Sequence, residues 1–217
     1  MSNQINEQAA LLPQSIQRTF QYRSVPMIEA DITYPQVRLR RPREIEARIN
    51  SHYKFVAMNL LRYTATKLFN EAVAQYRYSQ QQGYPFNMYG TGLDYTAALN
   101  EGCRLSTYSD RYEYTGGAHP LTTRTSVTWN LENGRIVKLP ELFGGASSPK
   151  PKILEAVLAQ ADENYAKEPV YFDNYRELIA EHLSLHNFYL TPQAVVIYFQ
   201  QYEIAPYAAG MPEFALS

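Results

Sequence analysis

The sequence predicts an α+β protein in which antiparallel sheets pack against one long helix and two shorter helices. The stretch from residue 43 to residue 82 contains no glycine or proline, and its apolar residues recur at helical spacing. From Phe86 onwards the apolar residues alternate with polar ones, as they do in half-buried strands. Two more stripes with helical spacing follow in the C-terminal part. We expect two intimately packed halves, residues 19–117 and residues 118–217.

Two strands and the long helix are expected in the N-terminal part. Residues 1–17 are polar, and we expect them to be loosely ordered. Strands are predicted over Thr19–Met27 and Ile28–Val37, with their junction around Pro26. Pro42 suits the first turn of the helix that follows. A helix of about 35 residues is long for a globular protein, so we expect it to bend or split.

Strand pairs are expected in the middle of the chain. Phe86–Leu99 and Cys103–Tyr114 form the first predicted pair, joined through residues 100–102. Leu121–Leu131 is the next predicted strand, and the chain returns after Asn133-Gly134. This dipeptide favours a type I′ turn, because both central residues of such a turn need positive φ.

The C-terminal part combines helices with short strands. One helix is predicted over residues 151–165 and another from Asn174, which has capping-box spacing to Glu177. A hairpin is expected over residues 188–200, and the last strand over Met211–Phe214.

Charge and composition limit the classes of function. The formal net charge of -1 argues against a nucleic-acid partner. Cys103 is the single cysteine, so no internal disulfide can form. No stretch reaches the roughly 20 apolar residues of a membrane helix. The N-terminus lacks the basic and apolar regions of a signal peptide, so the sequence as printed is that of a cytoplasmic protein, unless an export signal has been removed.

Metal binding and catalysis find little support in the motifs. His182 and His186 are four residues apart beside Glu181, but the zinc-protease pattern needs a glutamate directly after the first histidine, where Leu183 stands. The paired glycines are not followed by the lysine of a phosphate loop. We therefore expect no metal, no cofactor and no catalytic residue.

Two other features each leave more than one interpretation open. The basic cluster at residues 38–43 is expected to form a solvated face, with an anionic partner as the alternative. The segment YEYTGGAH places Tyr112 and Tyr114 on one strand face and leads into a glycine turn that carries His119. His119 can bond backbone in a structural loop, face a ligand beside the tyrosines, or take part in catalysis.

Together these segments resemble a known family. YEYTGGAH at residues 112–119 and YEIAPYAAG at residues 202–210, in this order of elements, resemble the extracellular region of the RsiV anti-sigma factors. The first half also resembles the accessory domain of the peptidoglycan deacetylase PdaC. The sequence as printed holds no sigma-binding segment and no membrane helix, so we expect a sensor-like region without the rest of an anti-sigma factor.

The resemblance implies an extracytoplasmic domain that binds a protein or a glycan. In the RsiV family this region binds lysozyme, so we expect a non-catalytic recognition module for a lysozyme-like protein or a peptidoglycan-type glycan. The alternatives are an accessory or hydrolytic domain acting on envelope glycans, and a structural domain. The hypothetical ligand-binding residues come from the two motifs: Tyr112, Tyr114, His119, Tyr202, Glu203 and Tyr207.

Overall fold

A computed structural model describes residues 8–40, 42–144 and 149–216 of the chain. In this part, nine strands form two sheets, so the α+β prediction is confirmed. The first sheet has the order β1-β2-β3-β4-β5-β6: Ala10–Tyr22, Val25–Arg38, Tyr89–Glu101, Arg104–Tyr114, Leu121–Asn130 and Arg135–Ile136. The second has the order β7-β8-β9: Phe188–Leu190, Val195–Tyr198 and Glu213–Leu216.

The helices include the long one and the two shorter ones that the sequence predicts. The long helix consists of α1, a π-helical turn over Thr64–Leu68, and α2. The bounds of the α-helices are Arg43–Tyr63 for α1, Phe69–Gln82 for α2, Leu139–Leu142 for α3, Lys150–Lys167 for α4 and Tyr175–His182 for α5. Among the described residues, no helix is both long enough and apolar enough to cross a membrane.

The chain divides into two compact units. The first unit comprises Ala9–Tyr95 and Ser109–Thr123, and the second comprises Thr96–Tyr108 and the chain from Arg124 onwards. Each unit therefore takes residues from both of the halves expected from the sequence. The expected boundary between residues 117 and 118 stays a prediction.

A long hairpin of β1 and β2 begins the first unit. Its two-residue loop is Arg23-Ser24, and both residues have positive φ, 50° and 65°, as a type I′ turn requires. The predicted junction around Pro26 is therefore wrong. The predicted looseness is also wrong for residues 10–17, which lie in β1, while residues 1–7 of that stretch lie outside the described residues. Arginine and serine do not signal such a turn, which explains the misplaced junction.

The long helix is widened rather than split. In the π-helical turn, the Thr64 hydroxyl donates to the carbonyl oxygen of Leu60 at 2.9 Å and lies 2.9 Å from the hydroxyl of Thr91 on β3. The helix ends at Gly83, whose φ of 73° glycine adopts readily. The helix crosses from β2 to β3, and these two strands pair in parallel, which is an exception to the antiparallel pairing expected.

Apolar contacts join the long helix to the hairpin. Buried helix residues face the buried side chains of β2 and β3, as amphipathic packing requires. These contacts form two apolar clusters, whose buried members are Met27, Ile28, Ala30, Ile32, Ala57, Leu60, Leu68, Ala72, Val73, Tyr89 and Leu93.

Helices α4 and α5 cover the three-stranded sheet of the second unit. Their buried residues meet those of β7, β8 and β9 in one cluster, which includes Ile153, Val157, Ala161, Ile179, Phe188, Ile197 and Phe214. Trp129, the single tryptophan of the sequence, is buried on β5 and pairs with Ile136 of β6. The predicted capping box of α5 is wrong, because the Asn174 side chain makes no capping hydrogen bond.

The turn between β5 and β6 differs from the predicted type I′ turn. Gly134 has a φ of 66°, but Asn133 is not among the described residues with positive φ. The amide of Gly134 instead donates to the carbonyl oxygen of Asn130 at 2.8 Å, which closes a loop of four residues. A two-residue loop with positive φ at both positions, 59° and 58°, joins β3 to β4 at Gly102-Cys103.

The conformation of Gly134 can be tested by two substitutions at the same position. Gly134→Val should lower the free energy of unfolding by about 1–3 kcal/mol, because a β-branched residue is strained at positive φ. Gly134→Asn should cost less, since asparagine tolerates this conformation. The measurement is the midpoint of urea unfolding. Equal midpoints for the two variants would contradict the assigned conformation.

Candidate functional site

Three of the predicted ligand-binding residues lie in the first unit, on β4 and the loop that follows it. The ring of Tyr112 covers two glycines of β3: a Cβ atom added at Gly90 would lie 3.5 Å from Tyr112 Cε1, and one added at Gly92 would lie 3.6 Å from Tyr112 Cβ. Tyr112 is still among the exposed large side chains. It therefore supports the strand and presents aromatic surface at the same time.

The neighbours of Tyr112 on β4 face the long helix. Arg111 Nη2 donates to Glu113 Oε2 at 2.5 Å, and the Arg111 guanidinium lies 4.6 Å from the ring centroid of Tyr63. Because side chains alternate along a strand, Tyr112 and Tyr114 belong to the opposite face. The predicted shared face of these two tyrosines therefore agrees with the contacts of their neighbours.

The glycine turn before His119 depends on one of its two glycines. Gly116 has a φ of 85°, and its carbonyl oxygen accepts a hydrogen bond from Asn87 Nδ2 at 3.2 Å. Gly117 is not among the described residues with positive φ, and a Cβ atom added there would meet nothing within 4 Å. Of the two glycines in this turn, Gly116 therefore needs the conformational freedom of glycine and Gly117 does not. His119 is exposed two residues further on.

The other three predicted residues lie in the second unit, on the loop from β8 to β9. Tyr202 has a φ of 68°, is 44% exposed, and its ring centroid lies 6.1 Å from that of Tyr207. Glu203 Oε2 accepts a hydrogen bond from the amide of Gln200 at 2.7 Å, and Glu203 Oε1 lies 4.0 Å from His182 Nδ1. The loop thus pairs two tyrosines on a backbone that Glu203 fixes.

A cleft of about 510 Å³ borders this loop. One wall is the segment that precedes α5, and the other is the turn that begins at Tyr207. The amide of Phe172 donates to the carbonyl oxygen of Ile204 at 3.1 Å, which joins the two walls. The lining residues are Glu168, Pro169, Val170, Tyr171, Phe172, Asp173, Pro206, Ala208 and Ala209.

The cleft combines apolar walls with negative charge. Glu168 and Asp173 are exposed, and no lysine, arginine or histidine is among the residues that line the cleft. Prolines and aromatic rings make up most of the remaining surface. An extended ligand with both apolar and cationic groups would match this lining.

A buried arginine lies beside the base of the same loop. Arg124, at the start of the second-unit part of β5, is 9% exposed, and its guanidinium lies 3.9 Å from the ring centroid of Tyr108. Arg124 Nη1 donates to Glu213 Oε1, and Tyr189 Oη donates to Glu213 Oε2 at 2.9 Å. Burial of the phenol, together with the hydrogen bond to Glu213, raises the pKa of Tyr189.

Gln200 joins the arginine to the loop. Gln200 Oε1 accepts from the backbone amide of Arg124 at 2.8 Å, and Gln200 Nε2 donates to the carbonyl oxygen of Arg124 at 2.8 Å. The amide of Gln200 then donates to Glu203. The sequence motifs point to Glu203 but not to Arg124, Gln200 or Glu213. These residues are far apart in the chain and carry no motif.

The histidines considered for metal binding do not share a helix. Helix α5 ends at His182, so His186 lies beyond it and the four-residue spacing no longer implies one helical face. Within residues 8–40, 42–144 and 149–216, no three histidine, cysteine or acidic side chains are grouped closely enough to hold a metal ion.

Two family models match separate parts of the chain. The model described as "Deacetylase PdaC" matches residues 23–122. The model described as "Protein of unknown function (DUF3298)" matches residues 140–217. The expected likeness of the N-terminal part to PdaC is confirmed, while the narrower likeness to the RsiV anti-sigma factors stays a prediction. No curated protein matches the chain.

Two solved structures of DUF3298 family proteins are similar to the fold. The one from Bacteroides fragilis NCTC 9343 has a TM-score of 0.70 at 18% identity and covers 97% of this chain and 91% of its own. The one from Pseudomonas aeruginosa PAO1 has a TM-score of 0.55 at 15% identity and covers 95% and 90%. At these identities the similarity shows a common fold.

The unequal roles of Gly116 and Gly117 can be tested by matched substitutions. Gly116→Ala should lower the free energy of unfolding by about 1–2 kcal/mol, because alanine is strained at positive φ. Gly117→Ala should change it by less than about 0.5 kcal/mol. Thermal and urea unfolding of both variants provide the measurement. A larger loss for Gly117→Ala would reverse the assignment.

The pair of Arg124 and Glu213 should matter more to stability than an exposed pair does. Glu213→Gln leaves the buried guanidinium without its anion, so we expect a loss of about 1–3 kcal/mol; the 38% exposure of Glu213 keeps it below the cost for a fully buried pair. Arg176→Gln, which removes an exposed pair with Asp162, is the matched control and should change the unfolding midpoint little. Similar midpoints for the two variants would show that burial of Arg124 is not decisive.

Proposed function

We propose that the chain is a non-catalytic recognition module for a cell-envelope ligand. The observation that carries this proposal is the loop of Tyr202 and Tyr207 in the second unit. The ring centroids of the two tyrosines lie 6.1 Å apart, Tyr202 has positive φ, and Pro206, Ala208 and Ala209 of the same loop line the cleft.

The backbone of Tyr202 is the first argument for a binding role. A residue other than glycine at positive φ costs free energy, and such strain is concentrated at sites that contact ligands. Tyrosine also suits a recognition surface, since its ring supplies apolar area and its hydroxyl can bind a polar group. Pre-organisation by Gln200 and Glu203 lowers the entropy that the loop loses on binding.

Charge in the cleft favours a protein ligand with basic groups. Glu168 and Asp173 attract lysine or arginine side chains, and the prolines and aromatic rings provide apolar contact. The resemblance to the RsiV anti-sigma factors points to a lysozyme-like protein outside the cytoplasmic membrane. A peptidoglycan-type glycan is the second ligand class, because tyrosine rings also stack on sugars.

A second recognition surface is proposed on the first unit. Tyr112, Tyr114 and His119 follow one another along β4 and its loop, and Tyr112 and His119 are exposed. This surface and the cleft are on different units, so single variants can tell their contributions apart.

The alternative function is an accessory or hydrolytic domain that acts on envelope glycans. The match of residues 23–122 to the model described as "Deacetylase PdaC" favours it. Release of acetate or of reducing ends from peptidoglycan by the purified chain would support this alternative. Such activity would contradict the non-catalytic role.

Binding measurements with matched variants test the proposal. Calorimetric titration against lysozyme and against soluble peptidoglycan fragments should show saturable binding to one of them. Tyr207→Ala should weaken that binding by about 2 kcal/mol, roughly 30-fold, as truncation of a central aromatic contact does. Tyr114→Ala measures the second surface in the same way. Tyr78→Ala, an exposed tyrosine of α2 outside both surfaces, is the control.

The outcomes separate the surfaces and the ligand classes. Binding to lysozyme that weakens at high salt would support a role for the acidic cleft. Loss of binding in Tyr114→Ala with no loss in Tyr207→Ala would move the site to the first unit. Absence of binding to either ligand, or equal loss in all three variants, would overturn the proposal.

A further inference from the structure

A small polar pocket lies between the β1–β2 hairpin and α1, within the first unit. Its volume is about 190 Å³, and its lining residues are Gln14, Tyr34, Pro35, Gln36, Asn50 and Lys54. Pockets for drug-sized ligands usually measure about 300–1,000 Å³, so this one suits a single ring.

The floor of the pocket is held in place by Asn50. Its Oδ1 accepts from the backbone amide of Val37 at 2.6 Å, and its Nδ2 donates to the carbonyl oxygen of Val37 at 2.9 Å. This double hydrogen bond joins α1 to β2 at Val37, a fully buried residue. Lys54 lies one helical turn after Asn50, so the helix presents both residues on the same side.

The donors and acceptors in the pocket match a sugar. Gln14 Nε2 donates to the carbonyl oxygens of Pro13 and Leu12, so Gln14 offers its Oε1 as an acceptor. Gln36 supplies an amide that can donate and accept, and Tyr34 supplies a phenol. Such neutral groups can form hydrogen bonds with the hydroxyl groups of a sugar ring. In the hairpin, Gln14 and Tyr34 are direct cross-strand partners, so their positions are fixed by the strand register.

The ammonium group of Lys54 favours a ligand that carries negative charge. Lys54 is the one charged side chain among the residues that line the pocket. Among the residues that the structure describes, no carboxylate forms an ion pair with the Lys54 ammonium group. An ammonium group acts as a point charge for either a carboxylate or a phosphate.

Phe55 extends the surface beside the pocket. It follows Lys54 on α1 and is 66% exposed, and Met58, one turn further on, is also exposed. Since successive helix residues are about 100° apart around the axis, Phe55 lies next to the pocket and not inside it. Its ring is a platform on which a neighbouring sugar of the same polymer could stack.

We propose that this pocket binds a single sugar residue that carries a carboxylate or a phosphate group. The inference rests on the proposed role in envelope recognition and assigns one ligand class to the first unit. Tyr34 and the two glutamines bind the ring, and Lys54 binds the acidic group. This site is separate from the residues proposed for the second unit.

The test compares three sugars that differ in charge. N-acetylmuramic acid carries a carboxylate, N-acetylglucosamine 1-phosphate carries a phosphate, and N-acetylglucosamine is the neutral control. Titrations followed by NMR should shift the amide signals of Gln14, Gln36 and Asn50 with one or both acidic sugars. The neutral sugar should bind about tenfold more weakly. The acidic sugar that binds more tightly shows whether the pocket prefers a carboxylate or a phosphate.

Two matched lysine variants test the role of the ammonium group. Lys54→Gln should weaken binding of the acidic sugar about tenfold and leave the neutral sugar unchanged. Lys67→Gln, on the same long helix but paired with Glu71 at 3.9 Å, should leave both unchanged. Gln36→Ala should weaken binding of all sugars. Lys54 and Gln36 are exposed, so these variants should fold.

Equal affinity for the neutral and acidic sugars, or equal loss in the two lysine variants, would overturn the proposal. So would binding without shifts at the pocket amides. These failures are distinct from those of the proposed recognition function, which is measured with Tyr207→Ala on whole lysozyme or peptidoglycan fragments. If the acidic sugar binds at Lys54 and Tyr207→Ala has no effect on binding of lysozyme or peptidoglycan fragments, the pocket of the first unit is supported. The proposed binding site on the loop of the second unit is then rejected.

Discussion

The second unit depends on how it accommodates the buried cation of Arg124. Burying a guanidinium costs free energy unless rings, anions and hydrogen-bond acceptors replace its water. Here Tyr108 lies against its face, Glu213 accepts its hydrogen bond, and Gln200 binds its backbone. These partners come from β4, from β9 and from the loop after β8. One side chain therefore fixes strands that are distant in the sequence.

The same arrangement of a cation against a tyrosine recurs in the first unit. Arg111 lies over Tyr63, and Arg77 lies 4.9 Å from the ring centroid of Tyr22. The hydrogen bond from Arg77 also lowers the pKa of the Tyr22 phenol. Such contacts let a phenol ring pack on the fold while its hydroxyl stays in a polar environment. They give a physical reason for tyrosine at positions 22, 63 and 108.

The elements whose sequence pattern is local were predictable from the sequence. The long helix was predictable because its apolar spacing runs without a glycine or proline, and Gly83 ends it. The turn at Arg23-Ser24 was not, because neither residue signals positive φ. The π-helical turn also escaped prediction, since Thr64 stabilises it through Thr91, a residue on a distant strand.

In the candidate sites, too, only the residues that belong to a local motif were predictable from the sequence. The motifs singled out Tyr202, Glu203 and Tyr207, which the structure places on one loop. Sequence patterns did not indicate the facing wall at residues 168–173, since a proline, two aromatic rings and two acids form no motif. Lys54 and Gln14 were equally hidden, because register and helix packing bring them together only in the folded chain.

The burial of Trp129 gives the two units different spectroscopic signatures. The single tryptophan belongs to the second unit, so its fluorescence follows the unfolding of that unit. Far-ultraviolet circular dichroism reports the helices of both units, and the long helix of the first unit is its largest helical contributor. Coincident transitions by the two signals would mean that the units unfold cooperatively, and separate transitions would mean that each has its own stability.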